Sequence, residues 1–346
     1  MASPPSLRRR LIVLPLMFFI TLLPHAQSNL SPDYYNKTCP QFTEIAQRII
    51  VDKQLSTPTT AAGLLRVFFH DCMVGGCDAS LLISSNSFNT AERDSDLNRA
   101  LPGDAFDVVV RLKTALELEC PNTVSCSDIL AVAARDLITM VGGPYYDVRF
   151  GRKDSLVSRA SDVKGHIATP NMTVDEIVST FASKGLDLRD LVTLSGAHTI
   201  GFAHCSEFAN RIYNFSETAP VDPTLHPTYA EALQKLCANY TIEQGMSAFN
   251  DVMTPGKFDN MYYKNLKNGM GLLASDQALV SDPRTKPYVD LYAENQTAFF
   301  DAFARVIEKV SVYGVKTEKD GEVRKRCDAF NSLQGDNGEK ETHQSF

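Results

Sequence analysis

The 346-residue sequence predicts a mainly α-helical protein with very little β-structure, cross-linked by four disulfides. Three observations carry that prediction. Apolar residues recur at helical spacing in one segment after another, whereas strand-like alternation is confined to Tyr146, Val148 and Phe150. Eight cysteines follow a leader typical of exported chains: Cys39, Cys72, Cys77, Cys120, Cys126, Cys205, Cys237 and Cys327. Finally, no linker-like tract divides a chain that is 44% hydrophobic and 22% charged, so a single core large enough to enclose a cofactor is affordable.

Taken in order, Arg8, Arg9 and Arg10 precede an apolar run from Leu11 to Leu23, followed by small residues at Ala26 and Ser28. This is the layout of a signal peptide over 1–28; the run is short for a membrane span and Pro15 interrupts it. Losing that leader removes three arginines and no acids, moving the formal charge from −7 to −10. An acidic body without a basic stripe argues against nucleic acid as a partner, and no later segment is long and apolar enough to hold the mature chain in a membrane. An even cysteine count in an exported chain reads as four disulfides, and spacing alone leaves about 105 pairings open. No Cys-x-x-Cys pair suggests zinc. Sequons at Asn29, Asn36, Asn171, Asn214, Asn239 and Asn295 suit a glycosylated surface. The main domain is expected over 29–327, with a polar tail over 328–346 that frays or serves vacuolar sorting.

Within that domain, Thr60 to Phe69 reads as a buried helix rich in Ala and Leu. Asp104 is placed to cap a helix running to about Glu119 through Val108, Leu112 and Leu116. Ser127 to Val141 forms the next, halted by Gly142 and Gly143. Thr173 and Glu176 form a capping box for a helix that stops at Gly185. Helices over Asp187 to Ser195, Pro227 to Leu236 and Gln296 to Tyr313 complete the series, and Tyr146 to Phe150 is expected to give one short hairpin before Gly151.

Three stretches carry chemistry. In RVFFHDC, Arg66 and His70 lie four residues apart, so one helix face presents an imidazole beside a guanidinium, with Phe69 narrowing the space. In DCMVGGCDAS, Asp71, Asp78 and Ser80 with the loop carbonyls of Val74 and Gly76 supply hard oxygen ligands of the kind calcium takes, though not at EF-hand spacing. In LVTLSGAHTIG, His198 ends an apolar run among small residues that allow a flat, bulky group to approach. Downstream, Asp276 sits in the apolar LLASDQAL and needs a partner such as an imidazole N–H. Each stretch alone is also compatible with a satisfied core histidine or an ordinary polar loop.

Together, RVFFHDCMVGGCDAS, LSGAHTIG and the eight cysteines in order resemble the plant secretory (class III) haem peroxidases, from Tyr34 to Cys327. The resemblance implies a two-lobed, all-helical fold with one haem b between distal and proximal lobes and two calcium ions (Ca2+). It implies that His70 is the distal base, Arg66 the distal arginine and Asn98 the asparagine that hydrogen-bonds and orients His70. His198 would be the proximal iron ligand, with Asp276 accepting its other ring N–H. Asp71, Val74, Gly76, Asp78 and Ser80 match the distal calcium site, and Glu92 the acid linking it to the pocket. Thr199, Asp251, Thr254, Lys257 (through its carbonyl) and Asp259 match the proximal one. The implied disulfides are Cys39–Cys120, Cys72–Cys77, Cys126–Cys327 and Cys205–Cys237. The implied reaction takes hydrogen peroxide to water and oxidises phenolic or other small aromatic donors one electron at a time, outside the cell or in the vacuole, as a monomer.

Three positions depart from the pattern. Ala168, within Ile167-Ala168-Thr169-Pro170, replaces the first proline of a segment bordering the donor site. Asn250 stands where some members carry an aromatic near the proximal histidine, and Tyr146 where many carry tryptophan. These bear on donor preference and haem electronics rather than on the reaction class. The rivals are a zinc hydrolase built on His70, Asp71, His198 and His204, and a non-catalytic glycosylated scaffold. The first lacks any strong ligand spacing, and His204, without a matching role, is expected to be structural. The second would have lost Arg66, His70 or His198, and all three are present.

Overall fold

The computed structural model describes residues 30–331; the expected leader, the Asn29 sequon and the tail from 332 onward lie outside the described residues. Twelve α-helices run through the described residues: α1 Phe42–Ser56, α2 Thr60–Val74, α3 Gly103–Glu119, α4 Cys126–Met140, α5 Val174–Ala182, α6 Leu188–Ser195, α7 Ala209–Ile212, α8 Pro227–Leu236, α9 Met261–Lys267, α10 Ala274–Ser281, α11 Lys286–Glu294 and α12 Gln296–Ser311. The only sheet among them pairs β1, Phe202–His204, with β2, Ser247–Phe249, antiparallel.

Helix starts follow the side chains that satisfy their free N–H groups. Thr173 and Glu176 exchange both bonds of a capping box at α5, and Asp187 and Asp190 do the same at α6. Ser125 caps α4 and Asn295 caps α12, each bond contributing about 1 kcal/mol. Asp104 does not cap α3. The helix begins one residue earlier, and the Asp104 carboxylate instead accepts from the Thr59 and Thr60 hydroxyls at 3.2 Å, tying α3 to the start of α2. The expected hairpin is also absent. Tyr146, Val148 and Phe150 are buried while Asp147 and Arg149 are exposed, as the alternation requires. Yet this extended segment meets another strand only at a single bridge between Phe150 and Ser31. Its period records a chain laid across the core, not a ladder.

Helices α1 to α4 form one lobe, in which α2 packs on α4 and α3. Helices α5, α6 and α9 to α12 form the second, and α12 reaches across to α2. A smaller core of Phe208, Ile212, Leu225, Tyr229, Leu233 and Leu272 lies under α7, α8 and the sheet. Disulfides join Cys39 to Cys120, Cys72 to Cys77, Cys126 to Cys327 and Cys205 to Cys237. Polar struts complete the frame. Fully buried Asp128 receives Arg152 at 2.8 Å, the Tyr35 hydroxyl at 2.7 Å and the Gly151 N–H at 2.7 Å. Arg324, equally buried, donates to the carbonyls of Ala79, Ser155 and Cys327. Gly76 (φ +118°) and Gly314 (φ +58°) meet backbone to backbone, so a Cβ on either would collide with the other. That contact holds the loop after α2 against the end of α12.

Candidate active site

Helix α2 is buried along its length except for Ala62, Arg66 and Phe69, and Arg66 is its one exposed residue. A stripe at i, i+4 and i+7 on an otherwise buried helix leaves this face open, and Gly201, three residues past His198, packs against its first member, Ala62, so the open space lies as a cleft between α2 and the His198 segment. His70 lies beside the stripe, its Nε2 accepting from Arg66 Nε at 3.4 Å. Its Nδ1 meets Asn98 Oδ1 at 2.8 Å, and Asn98 Nδ2 donates to the Glu92 carbonyl at 2.7 Å. Because Oδ1 can only accept, the ring proton is on Nδ1 and the lone pair on Nε2 faces Arg66. Burial, then the Arg66 charge, push His70 down to about 3 against the opposing pull of Asn98. Phe69 packs against Phe181 with ring centroids 6.1 Å apart.

Across the cleft, α6 runs into a 3₁₀ turn, Gly196–Thr199, that carries His198. Gly196 leaves no room for a Cβ against Tyr263 and Phe299, so only glycine lets the turn pack this deeply. The His198 side chain is 40% accessible although Gly196 and Thr199 on either side are buried, which places its ring on the cleft wall. Its Nδ1 lies 2.8 Å from Asp276 Oδ1, an oxygen that also receives the Tyr262 hydroxyl at 2.9 Å. Desolvation by the surrounding protein pulls His198 down, but the charge and hydrogen bond of Asp276 prevail and hold it above the ordinary histidine value. Arg66 acts on His198 in the opposite sense, so the two walls are within electrostatic reach. With Nδ1 occupied, Nε2 is the one nitrogen of His198 left for a ligand.

The DCMVGGCDAS loop gathers acids under the distal wall. Asp71 accepts from the backbone N–H groups of Asp78, Ala79 and Leu81 at 2.9–3.2 Å. Ser80 Oγ and Glu92 Oε2 are buried without a partner. Burial and then neighbouring carboxylates push Asp71 and Glu92 each up to about 8, and burial raises Asp78 too. Crowded acids beside an orphaned hydroxyl fit a hard divalent cation. The second group sits behind His198. Thr199 Oγ1 lies 3.2–3.4 Å from Asp251 Oδ2, Asp259 Oδ1 and the Lys257 carbonyl, and Thr254 Oγ1 lies 3.1 and 3.2 Å from the same two carboxylates. Two hydroxyl protons cannot serve five converging contacts, and again a cation fits. Among the described residues, no three His, Cys, Asp or Glu side chains form a metal-holding group, so the oxygens on offer are a mixture of carboxylate, hydroxyl and carbonyl.

Residues 46–295 match the family model described as Peroxidase. The chain is 63% identical to Peroxidase 6 of Arabidopsis thaliana over 310 residues, covering 89% of this chain and 94% of that relative. It is 60% identical to Peroxidase 65 of the same plant over 304 residues, covering 88% and 90%. The chain belongs to the peroxidase family. Its enzyme class is therefore peroxidase, and the zinc-hydrolase and scaffold rivals are displaced.

In this peroxidase the departures take definite positions. Ala168 is half-buried against the main core. Asn250 is buried with Oδ1 unpartnered, as is the Tyr146 hydroxyl. His204 lies on β1 with a buried, unpartnered Nδ1. Sequence reasoning missed Tyr262, Glu207 and Lys316. Desolvation by the surrounding protein lowers Arg66 and Glu207 partly offsets it, and Lys316 lies 3.5 Å from Asp78. Tyr262 stands in the FDNMYYKNL segment directly upstream of Asp276, but nothing in that motif says which tyrosine reaches the acid.

Proposed function

We propose that this peroxidase holds one haem b through His198 Nε2 and reduces hydrogen peroxide at the expense of small phenolic donors, with His70, Arg66 and Asn98 managing the proton and the charge. The observation that carries the reading is the opposition, across one cleft, of an imidazole with a free Nε2 on one wall and an imidazole–guanidinium pair on the other. Bound haem supplies the two-electron reduction of peroxide and accepts single electrons from each donor. His70 Nε2 takes a proton from one oxygen of peroxide and returns it to the other, so that water rather than hydroxide leaves. Asn98 keeps the imidazole neutral and aimed. Arg66 stabilises the negative charge that develops as the O–O bond breaks. Asp276 pulls on the His198 ring proton and makes Nε2 a stronger donor to iron. The two oxygen clusters hold calcium: Asp71, Val74, Gly76, Asp78 and Ser80, backed by Glu92, on the distal side, and Thr199, Asp251, Thr254, Lys257 and Asp259 on the proximal side. Export as a soluble glycoprotein fits the leader and sequons, and among the described residues no helix is long and apolar enough to cross a membrane. The direct test is reconstitution with haemin: a Soret spectrum of histidine-ligated iron is expected, and its loss in His198→Ala.

The depressed His70 makes a pH prediction. The base is free above its own pKa, so stopped-flow rates of peroxide cleavage should stay level from neutral pH into the acid range and fall only as pH approaches about 3. In Arg66→Leu the second cause of the depression is gone, and the fall should move to higher pH. A wild-type midpoint near the ordinary histidine value would refute this account of His70.

Calcium makes another. Without it, Asp71 and Glu92 stay protonated up to about 8 in the folded chain, while unfolded acids ionise near 4. The folded state then binds more protons between those values, so its stability falls as pH rises through the window. Chelation should therefore lower the Tm more at pH 8 than at pH 5, and added calcium should restore it. Equal Tm values with and without calcium, in protein verified metal-free, would remove the ligand assignment.

A further inference from the structure

Asp276 carries two donors on one oxygen and none on the other. His198 Nδ1 lies 2.8 Å and the Tyr262 hydroxyl 2.9 Å from Oδ1, while Oδ2 is buried without a partner. All three groups sit in the proximal lobe, Tyr262 at 1% and Asp276 at 2% exposure, so water does not compete for the acid. A carboxylate only accepts, which makes the tyrosine a donor here. The adjacent Tyr263 does something different: its hydroxyl donates to the Val192 and Thr193 carbonyls of α6 at 2.9 and 3.3 Å and so pins the helix that leads to His198. Neighbouring tyrosines on α9 thus divide the work, one gripping the helix and the other the acid.

We propose that Tyr262 is a positioning residue for the proximal histidine: by donating to the very oxygen that accepts the His198 ring proton, it weakens Asp276 as an acceptor and limits how strongly His198 donates to iron. Two donors sharing one oxygen each receive less electron density than one donor alone. With the tyrosine present, His198 keeps more of its ring proton and is a softer ligand. Without it, the ring takes on more imidazolate character and stabilises the higher oxidation state. Tyr262 therefore helps set the reduction potential of the enzyme without touching haem, peroxide or donor.

The inference rests on the haem reading, and the experiment separates the two. Ferric and ferrous holoprotein are compared by spectroelectrochemistry and by the iron–histidine stretching frequency in resonance Raman spectra. Tyr262→Phe keeps the ring and loses the hydroxyl. It should favour the ferric form about tenfold, a potential lower by about 59 mV for a one-electron couple, and raise the stretching frequency. Replacing Tyr262 with 3-fluorotyrosine, a stronger donor, should shift both in the opposite sense. Tyr263→Phe should lower the Tm and leave both readouts where they were. Wild-type holoprotein without a histidine–iron stretch would overturn the haem reading itself. A normal wild-type stretch with unchanged values in Tyr262→Phe, or equal shifts in Tyr263→Phe, would overturn the tuning role alone.

Discussion

His70→Ala is expected to slow peroxide cleavage by about 10⁴-fold, the upper range for removing a positioned general base, while haem binding survives. The basis is geometric. Of the two ring nitrogens, Nδ1 is committed to Asn98, and Nε2 sits beside Arg66 on the only face of α2 that opens to the cleft. Alanine keeps the helix, leaves Arg66 in place and alters nothing on the His198 wall. The loss should therefore appear in the bimolecular rate with peroxide and not in the Soret spectrum. Single-turnover kinetics at saturating haem occupancy provide the check. A rate within tenfold of wild type would mean that some other group moves the proton.

Asp128→Ala is expected to cost about 3–5 kcal/mol of stability, the usual penalty for stranding one partner of a buried ion pair. Asp128 and Arg152 are both inaccessible to solvent, and Asp128 also satisfies the Tyr35 hydroxyl and the Gly151 N–H. Burial and the Asp128 charge together keep the Tyr35 hydroxyl protonated far above its ordinary range, so this site depends on a fixed negative charge. Losing the acid leaves a guanidinium in the core with only the carbonyls of Ser311 and Arg149. Urea unfolding with the disulfides intact measures the effect. A loss under about 1 kcal/mol would show that the pocket relaxes enough to admit water. Replacing Asp128 and Arg152 together by apolar residues of similar volume should cost less than the single change, because no charge is stranded.

Legibility in the sequence varied with the range of the signal. The capping box at Thr173 and Glu176 lies within four residues, and a helix grows from it as the sequence implies. The Arg66–His70 pairing is equally local, since one turn of helix fixes it. Asp104 misled because its carboxylate has a tertiary partner, and bonds to Thr59 and Thr60 compete with the local cap. The period-2 pattern at Tyr146, Val148 and Phe150 reported burial correctly but not pairing, because alternate burial follows from any extended chain on a core. Strands of three residues, as at Phe202 and Ser247, are too short to show a period at all.

By itself the sequence determined the helical class, the export leader's pattern and the pairing of Arg66 with His70 on one helix face, since these depend on residue type and on spacing of a few positions. Only the tertiary structure decided which distant groups meet. Asn98 comes to His70 over 28 residues and Asp276 to His198 over 78, and Tyr262 rather than Tyr263 takes the acid. The physical reason is that a hydrogen bond is made at about 3 Å, whereas the chain between such partners can close in many ways. Packing of α2 against α3 and α4, of α6 against α11 and α12, and of the His198 turn against α9 selects the closure that brings these groups within bonding distance.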